Sequence, residues 1–219
     1  MIRFQKVQRL VQMEIALDYR KPSVIGSVIL QLGVTAMLSM LSQPRITGSI
    51  WNTLFWITLI LGTITAISKN FTLVSKGRWL YWNQLSSPLE TLISKMIYGW
   101  ISMIAMSLIN LLFFAWFMGI PIIHIGNYYI LLILTTGGIS TVYTFIGAIA
   151  SKTGNSGFLA PVLSLPLIMP LILVGIKASR KTLNPVLVSS LNKDLMLLGA
   201  LDLMIIILSA VLFQALWKD

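Results

Sequence analysis

The chain has no cysteine, a single histidine and only six acidic residues among 219. The first absence excludes a disulfide framework and any thiolate metal site. The second excludes a metal or haem site built from two histidines of this chain alone. Charged residues make up 10% of the sequence, against about 25% in soluble domains, so a soluble enzyme, a disordered tail and a coiled coil are excluded as well. No G-x-x-x-x-G-K-[ST] run occurs, which removes nucleotide binding through a P-loop. What is present is apolar: 57% hydrophobic residues, with a formal charge of +10 from 16 Lys and Arg. Such a surplus in a soluble protein would point to nucleic acid. In so apolar a chain the basic residues are explained first as charges flanking membrane spans.

Crossing about 30 Å of hydrocarbon takes about 20 residues at 1.5 Å each. Six stretches meet that length, and the sequence predicts an all-α integral membrane protein forming one transmembrane domain over 1–219. The expected spans are 24–41, 50–67, 96–117, 128–150, 158–176 and 195–216, preceded by an interfacial helix in 1–22 and interrupted by a cytoplasmic loop at 68–95. The basic leader runs into a long apolar stretch without a small-residue cleavage pattern, so the first span is expected to remain in the mature protein. With the N-terminus cytoplasmic, eleven basic residues fall inside and five outside. This favours both termini on the cytoplasmic side, although Lys177, Arg180, Lys181 and Lys193 all lie on one outer connection.

Two segments outside the spans carry pattern. In the leader, Phe4, Val7, Val11 and Ile15 recur at helical spacing, while Arg3, Lys6, Arg9, Glu14 and Asp18 mostly take the other side, and Pro22 follows. The helix is either a charged topology signal or an elbow that carries force to the first span. The 68–95 loop is longer than the 2 to 8 residues or so of a minimal connection. It sets Lys76, Gly77, Arg78, Trp79, Tyr81 and Trp82 ahead of Ser86-Ser87-Pro88-Leu89-Glu90, which resembles a helix start. Aromatic and basic residues so mixed form a headgroup belt, or a short helix that docks into a partner, and the two are compatible.

Within the spans, Thr136, Ser140, Thr144 and Ala148 form a small-residue stripe suited to close helix packing. Pro161, Pro166 and Pro170 predict a bent or locally unwound fifth span. Asp202 and Asn110 are intramembrane polar residues at similar depth, which leaves a hydrogen bond between them open. Asp202 reads either as a structural polar residue or as part of a path. His124, in a short outer loop, reads as an interfacial polar residue or as one axial ligand of a shared site. In the last outer loop Leu183, Val186, Leu187 and Leu191 have the spacing of a short helix.

The stretch ISKNFTLVSKGRWLYWNQLSSPLETLISKMIYGW at 67–100, followed by GAIASKTGNSGFLAPVLSLPLIMPLILVGIKAS at 147–179, resembles the CcmB family, haem exporter protein B of cytochrome c maturation. The proline-spaced Leu165-Pro166-Leu-Ile-Met-Pro170 run is its most specific part. Lys76-Gly77-Arg78-Trp79 stands where proteobacterial members are acidic, so the chain looks closer to the Bacteroidetes versions. The resemblance implies an ABC-2 type, permease-like subunit of the bacterial inner membrane, with no catalytic, metal or cofactor site of its own. It implies as partners an ATP-binding subunit, CcmA, the haem-handling CcmC with CcmD, and the haem chaperone CcmE, in a complex with two copies of this chain or a hetero-oligomer. ATP would be bound by a partner, haem handled by a partner, and 68–95 would couple the two. Two other readings stay open: an ABC-2 permease for a lipid, glycan or drug, and a membrane scaffold without transport.

Overall fold

A backbone inside hydrocarbon must satisfy its own amides and carbonyls, and a helix does so within one segment. The computed structural model describes residues 4–19, 22–42, 46–72, 88–151, 156–184 and 190–218, and over these the chain is helical, with no strand among the described residues. The helices are α1 (Phe4–Tyr19), α2 (Pro22–Ser42), α3 (Gly48–Thr72), α4 (Pro88–Met118), α5 (Ile125–Ser151), α6 (Ser156–Thr182) and α7 (Leu191–Lys218). Each of the six expected spans falls inside one of α2 to α7. Five of these, all but α3, hold apolar stretches of 18 residues or more, long enough to cross a membrane, whereas the apolar part of α3 over Gly48–Ile64 is shorter.

The helix ends differ from the expected span ends for local reasons. Pro88 needs no amide partner at a first helical position, and Glu90 places a negative charge at the positive end of the helix. Helix α4 therefore starts at Pro88, and residues 88–95, expected as loop, are helical. Its other end is closed by Gly119, whose φ of 76° is open to glycine at little cost. The Gly119 amide donates to the Ala115 carbonyl at 3.1 Å, and the Gly119 carbonyl accepts the Trp51 indole at 3.0 Å.

Of the two outcomes expected for the proline-rich span, bending or local unwinding, α6 shows no unwinding. It runs from Ser156 to Thr182 without interruption, so the prolines do not unwind it. Each proline removes only its own amide bond, and the bonds between them hold the helix. Pro166 and Pro170 stand on an exposed face, where their rings displace no packed neighbour.

Helix α5 is the centre of the bundle. Its apolar stretch is 72% buried, against 17% for that of α2. It packs most extensively on α6, then on α4 and α7, and touches α3, while α2 lies against α3 and α4, and α1 against α4 and α2. The core between α3, α4 and α5 is aromatic. Trp51 and Phe55 stack at 5.6 Å, Phe114 meets both edge-on at 5.6 Å, and Tyr128 lies 5.9 Å from Phe55. Such pairs add about 0.5–1.5 kcal/mol each beyond area burial.

Candidate functional site

Of the expected coupling loop at 68–95, residues 68–72 end α3 and 88–95 form the first turns of α4, against which α1 packs. Helix α1 divides as its sequence predicts: Val7 and Val11 are buried, and Lys6 and Arg9 are exposed. The apolar side rests on α4 and α2. Glu14 accepts a charge-assisted hydrogen bond from Lys95 Nζ at 2.9 Å. The pair is partly shielded, with side-chain exposures of 19% for Glu14 and 39% for Lys95, so it holds α1 on α4 by about 1 kcal/mol at most. Glu90, Leu92 and Ser94 are buried in the first two turns of α4, which anchors that end as well. Pro88 is the first residue of α4. Lys76, Gly77, Arg78, Trp79, Trp82 and Arg3 lie outside the described residues, as do Val186 and Leu187 of the last outer loop.

The Asn110–Asp202 pair is not formed. Asn110 Nδ2 donates to the Phe55 carbonyl at 3.1 Å, and Thr58 Oγ1 donates to Asn110 Oδ1 at 3.1 Å. Asn110 thus clamps α4 to α3. Asp202 is buried and points at α5, where its Oδ1 lies over Gly138 with no hydrogen-bond partner among the described residues. Equal depth in two helices says nothing about which faces they turn to each other, and here they turn to different neighbours. The stripe on α5 does pack: Thr136, Ser140 and Thr144 are all buried.

His124 is held by its backbone, its amide donating to the Thr182 carbonyl at 3.2 Å. Its Nε2 is buried with no hydrogen-bond partner among the described residues.

Several side chains that hold the bundle were not singled out from the sequence. Asn52 Nδ2 donates to the Ile176 carbonyl at 3.2 Å, and Trp56 Nε1 donates to Ser179 Oγ at 2.9 Å, joining α3 to α6. Trp100 Nε1 donates to the Ile133 carbonyl at 2.9 Å, joining α4 to α5. Their signal was present as tryptophans and an asparagine inside apolar runs, residues that bury only with a partner for the N–H. Lys181 and Asp194 close the α6–α7 corner at 2.6 Å. The sequence singles out Lys181 only as a flanking charge, and Asp194 not at all.

Among the described residues no group of three His, Cys, Asp or Glu side chains is placed to hold a metal ion. The described helices pack around α5, and the Glu14–Lys95 pair fastens α1 to the first turns of α4. A bundle of this kind, with five long apolar helices and wide apolar outer faces, is a multi-pass membrane protein. Residues 5–216 match the family described as CcmB protein, and the chain belongs to that family. No curated protein and no solved structure matches it.

Proposed function

We propose that the chain is the membrane subunit of an ABC-type complex in cytochrome c maturation and that it couples ATP hydrolysis in a separate subunit, CcmA, to haem delivery or to release of the haem-loaded chaperone CcmE. Membership of the CcmB protein family over residues 5–216 carries this reading. In this proposal the chain itself is not an enzyme and holds no cofactor, ATP is bound by CcmA, and haem is cargo handled by CcmC and its companions. The bundle crosses the bacterial inner membrane six times, with α3 as the sixth crossing and both termini cytoplasmic.

The route of coupling follows from the α1–α4 corner described above. CcmA closes against the 73–87 segment, where Lys76, Gly77, Arg78, Trp79 and Trp82 supply charge and aromatic anchors. Helix α4, which begins at Pro88 directly after that segment, takes up the displacement. The Glu14–Lys95 pair carries α1 with it. Because α4 packs on the central α5, and α5 on α6 and α7, a small shear at one end repacks the other end, where CcmC and CcmE are met.

A tagged chain, purified from its own membranes, is expected to bring down an ATP-binding subunit. Lys76→Glu with Arg78→Glu, combined with Trp79→Ala and Trp82→Ala, is expected to lose that subunit and to lower c-type cytochrome levels. A variant that keeps both would overturn the docking assignment.

A further inference from the structure

We infer that the end of the bundle formed by α6 and α7 binds an anionic phospholipid. The inference does not depend on the proposed role in haem handling. It starts from an imbalance of charge. Helix α6 ends with Lys177, Arg180 and Lys181, and α7 begins with Lys193 and Asp194. Asp194 is the one acidic residue at this end: Glu14, Asp18 and Glu90 lie in α1 and the start of α4, Asp219 ends the chain beyond α7, and Asp202 lies deep within α7.

That single carboxylate is already used. Asp194 is buried and meets Lys181 at 2.6 Å, and Lys181, only 15% exposed, also donates to the Ser190 carbonyl at 3.2 Å. Lys181 therefore belongs to the corner. Lys177 reaches Asp194 only at 4.0 Å and remains 69% exposed, and Arg180 and Lys193 are exposed too. Arg180 and Lys193 face outward with no acid left to match them, and the exposed Lys177 touches only an Asp194 already held by Lys181.

What lies beneath them selects the ligand. On α6 the residues four and eight positions before Lys177, Leu173 and Met169, share its face and are 65% and 62% exposed. On α7 the face of Lys193 continues through Met196, Leu203 and Ile207, at 75%, 62% and 63% exposure. The helices pack on each other, and the contact between Lys177 and Asp194 brings the charged ends of the two stripes together. Cations thus cap two adjoining apolar stripes about one helical turn below them. A phospholipid has this same order, a phosphate above acyl chains, and basic pockets between membrane helices take such headgroups. An acidic polypeptide would satisfy the cations and leave the stripes bare. A second copy meeting this surface about a two-fold axis would set the same cations against each other.

The test adds phosphatidylglycerol or phosphatidylcholine to the detergent-purified full chain and counts retained lipid by native mass spectrometry. Phosphatidylglycerol is expected to be retained at least about fivefold better, the contribution of a single surface cation, and Lys177→Gln, Arg180→Gln and Lys193→Gln together to abolish that preference. Lys6→Gln with Arg9→Gln, at the other end, should leave it intact. The intact chain should also lose the preference between 50 and 500 mM NaCl, roughly the range over which screening becomes strong, which keeps the test open if the triple variant does not fold. Equal retention of the two lipids, a preference that survives the triple variant or high salt, or one abolished by millimolar inorganic phosphate would overturn the inference. Tighter retention of a polyglutamate peptide than of phosphatidylglycerol would overturn it in favour of a protein partner.

Discussion

At Gly138 the side chain of Asp202 from α7 lies directly against the backbone of α5. A Cβ at this position would collide with Asp202 Oδ1 and would lie 3.0 Å from both methyl carbons of Leu171. Gly138→Ala is therefore expected to destabilise the bundle by about 1–3 kcal/mol, the usual range for an overpacked core. Unfolding of the purified protein in mixed micelles measures this. Adding Asp202→Ala should recover part of the loss, because it removes the carboxylate but leaves Leu171; a strictly additive double variant would show that the two residues do not touch. Asn110→Leu makes a different change. It removes the donor to the Phe55 carbonyl and the acceptor of Thr58, but Thr58 Oγ1 still donates to the Phe55 carbonyl at 2.9 Å. The expected cost is thus about 1 kcal/mol, in the range of interhelical hydrogen bonds in membranes, by the same unfolding measurement.

At the scale of elements, α1 is an arm fastened to α4 by two buried valines and one ion pair. Glu14→Lys alone should loosen α1 from α4 through like charge opposite Lys95, and Glu14→Lys with Lys95→Glu should restore the attachment. Protease cleavage within α1, compared across the three proteins, reads this directly, and equal cleavage in all three would remove the pair from the account. The helices themselves were legible in the sequence because apolar runs of span length leave the backbone little alternative. Their ends were less so. Residues 88–95 mix Glu90, Ser94 and Lys95 with apolar positions and fall outside a hydropathy count, although Pro88 already marked a helix start. Partner choice was not legible at all. Asn110 and Asp202 sit at matching depth, but which of several apolar neighbours each helix turns toward depends on rotations that a single chain does not encode locally. The clamp from Asn110 therefore reaches back 55 residues to Phe55. Of the coupling region, the α1–α4 corner can be described, while Lys76 to Trp82 fall in the segment outside the described residues.

At the scale of the whole molecule, the lack of any cysteine makes the proposed topology directly measurable. Single cysteines at Gln5 and after the C-terminus should react with an impermeant maleimide only from the cytoplasmic side, and one at Asn192 only from the opposite side. Labelling of positions 5 and 192 from the same side would contradict six crossings. The central helix has a further consequence, for the order in which the chain is made. Helix α5 emerges before α6 and α7, so the faces it finally buries against them meet lipid first. Its four threonines are ready for that interval: Thr135, Thr136, Thr141 and Thr144 donate to the carbonyls of Leu131, Leu132, Gly137 and Ser140 within the same helix, at 2.7–2.9 Å. Each donor is satisfied before any neighbour arrives. A nascent α5 can therefore wait in the bilayer at low cost and receive the later helices without first giving up a bond.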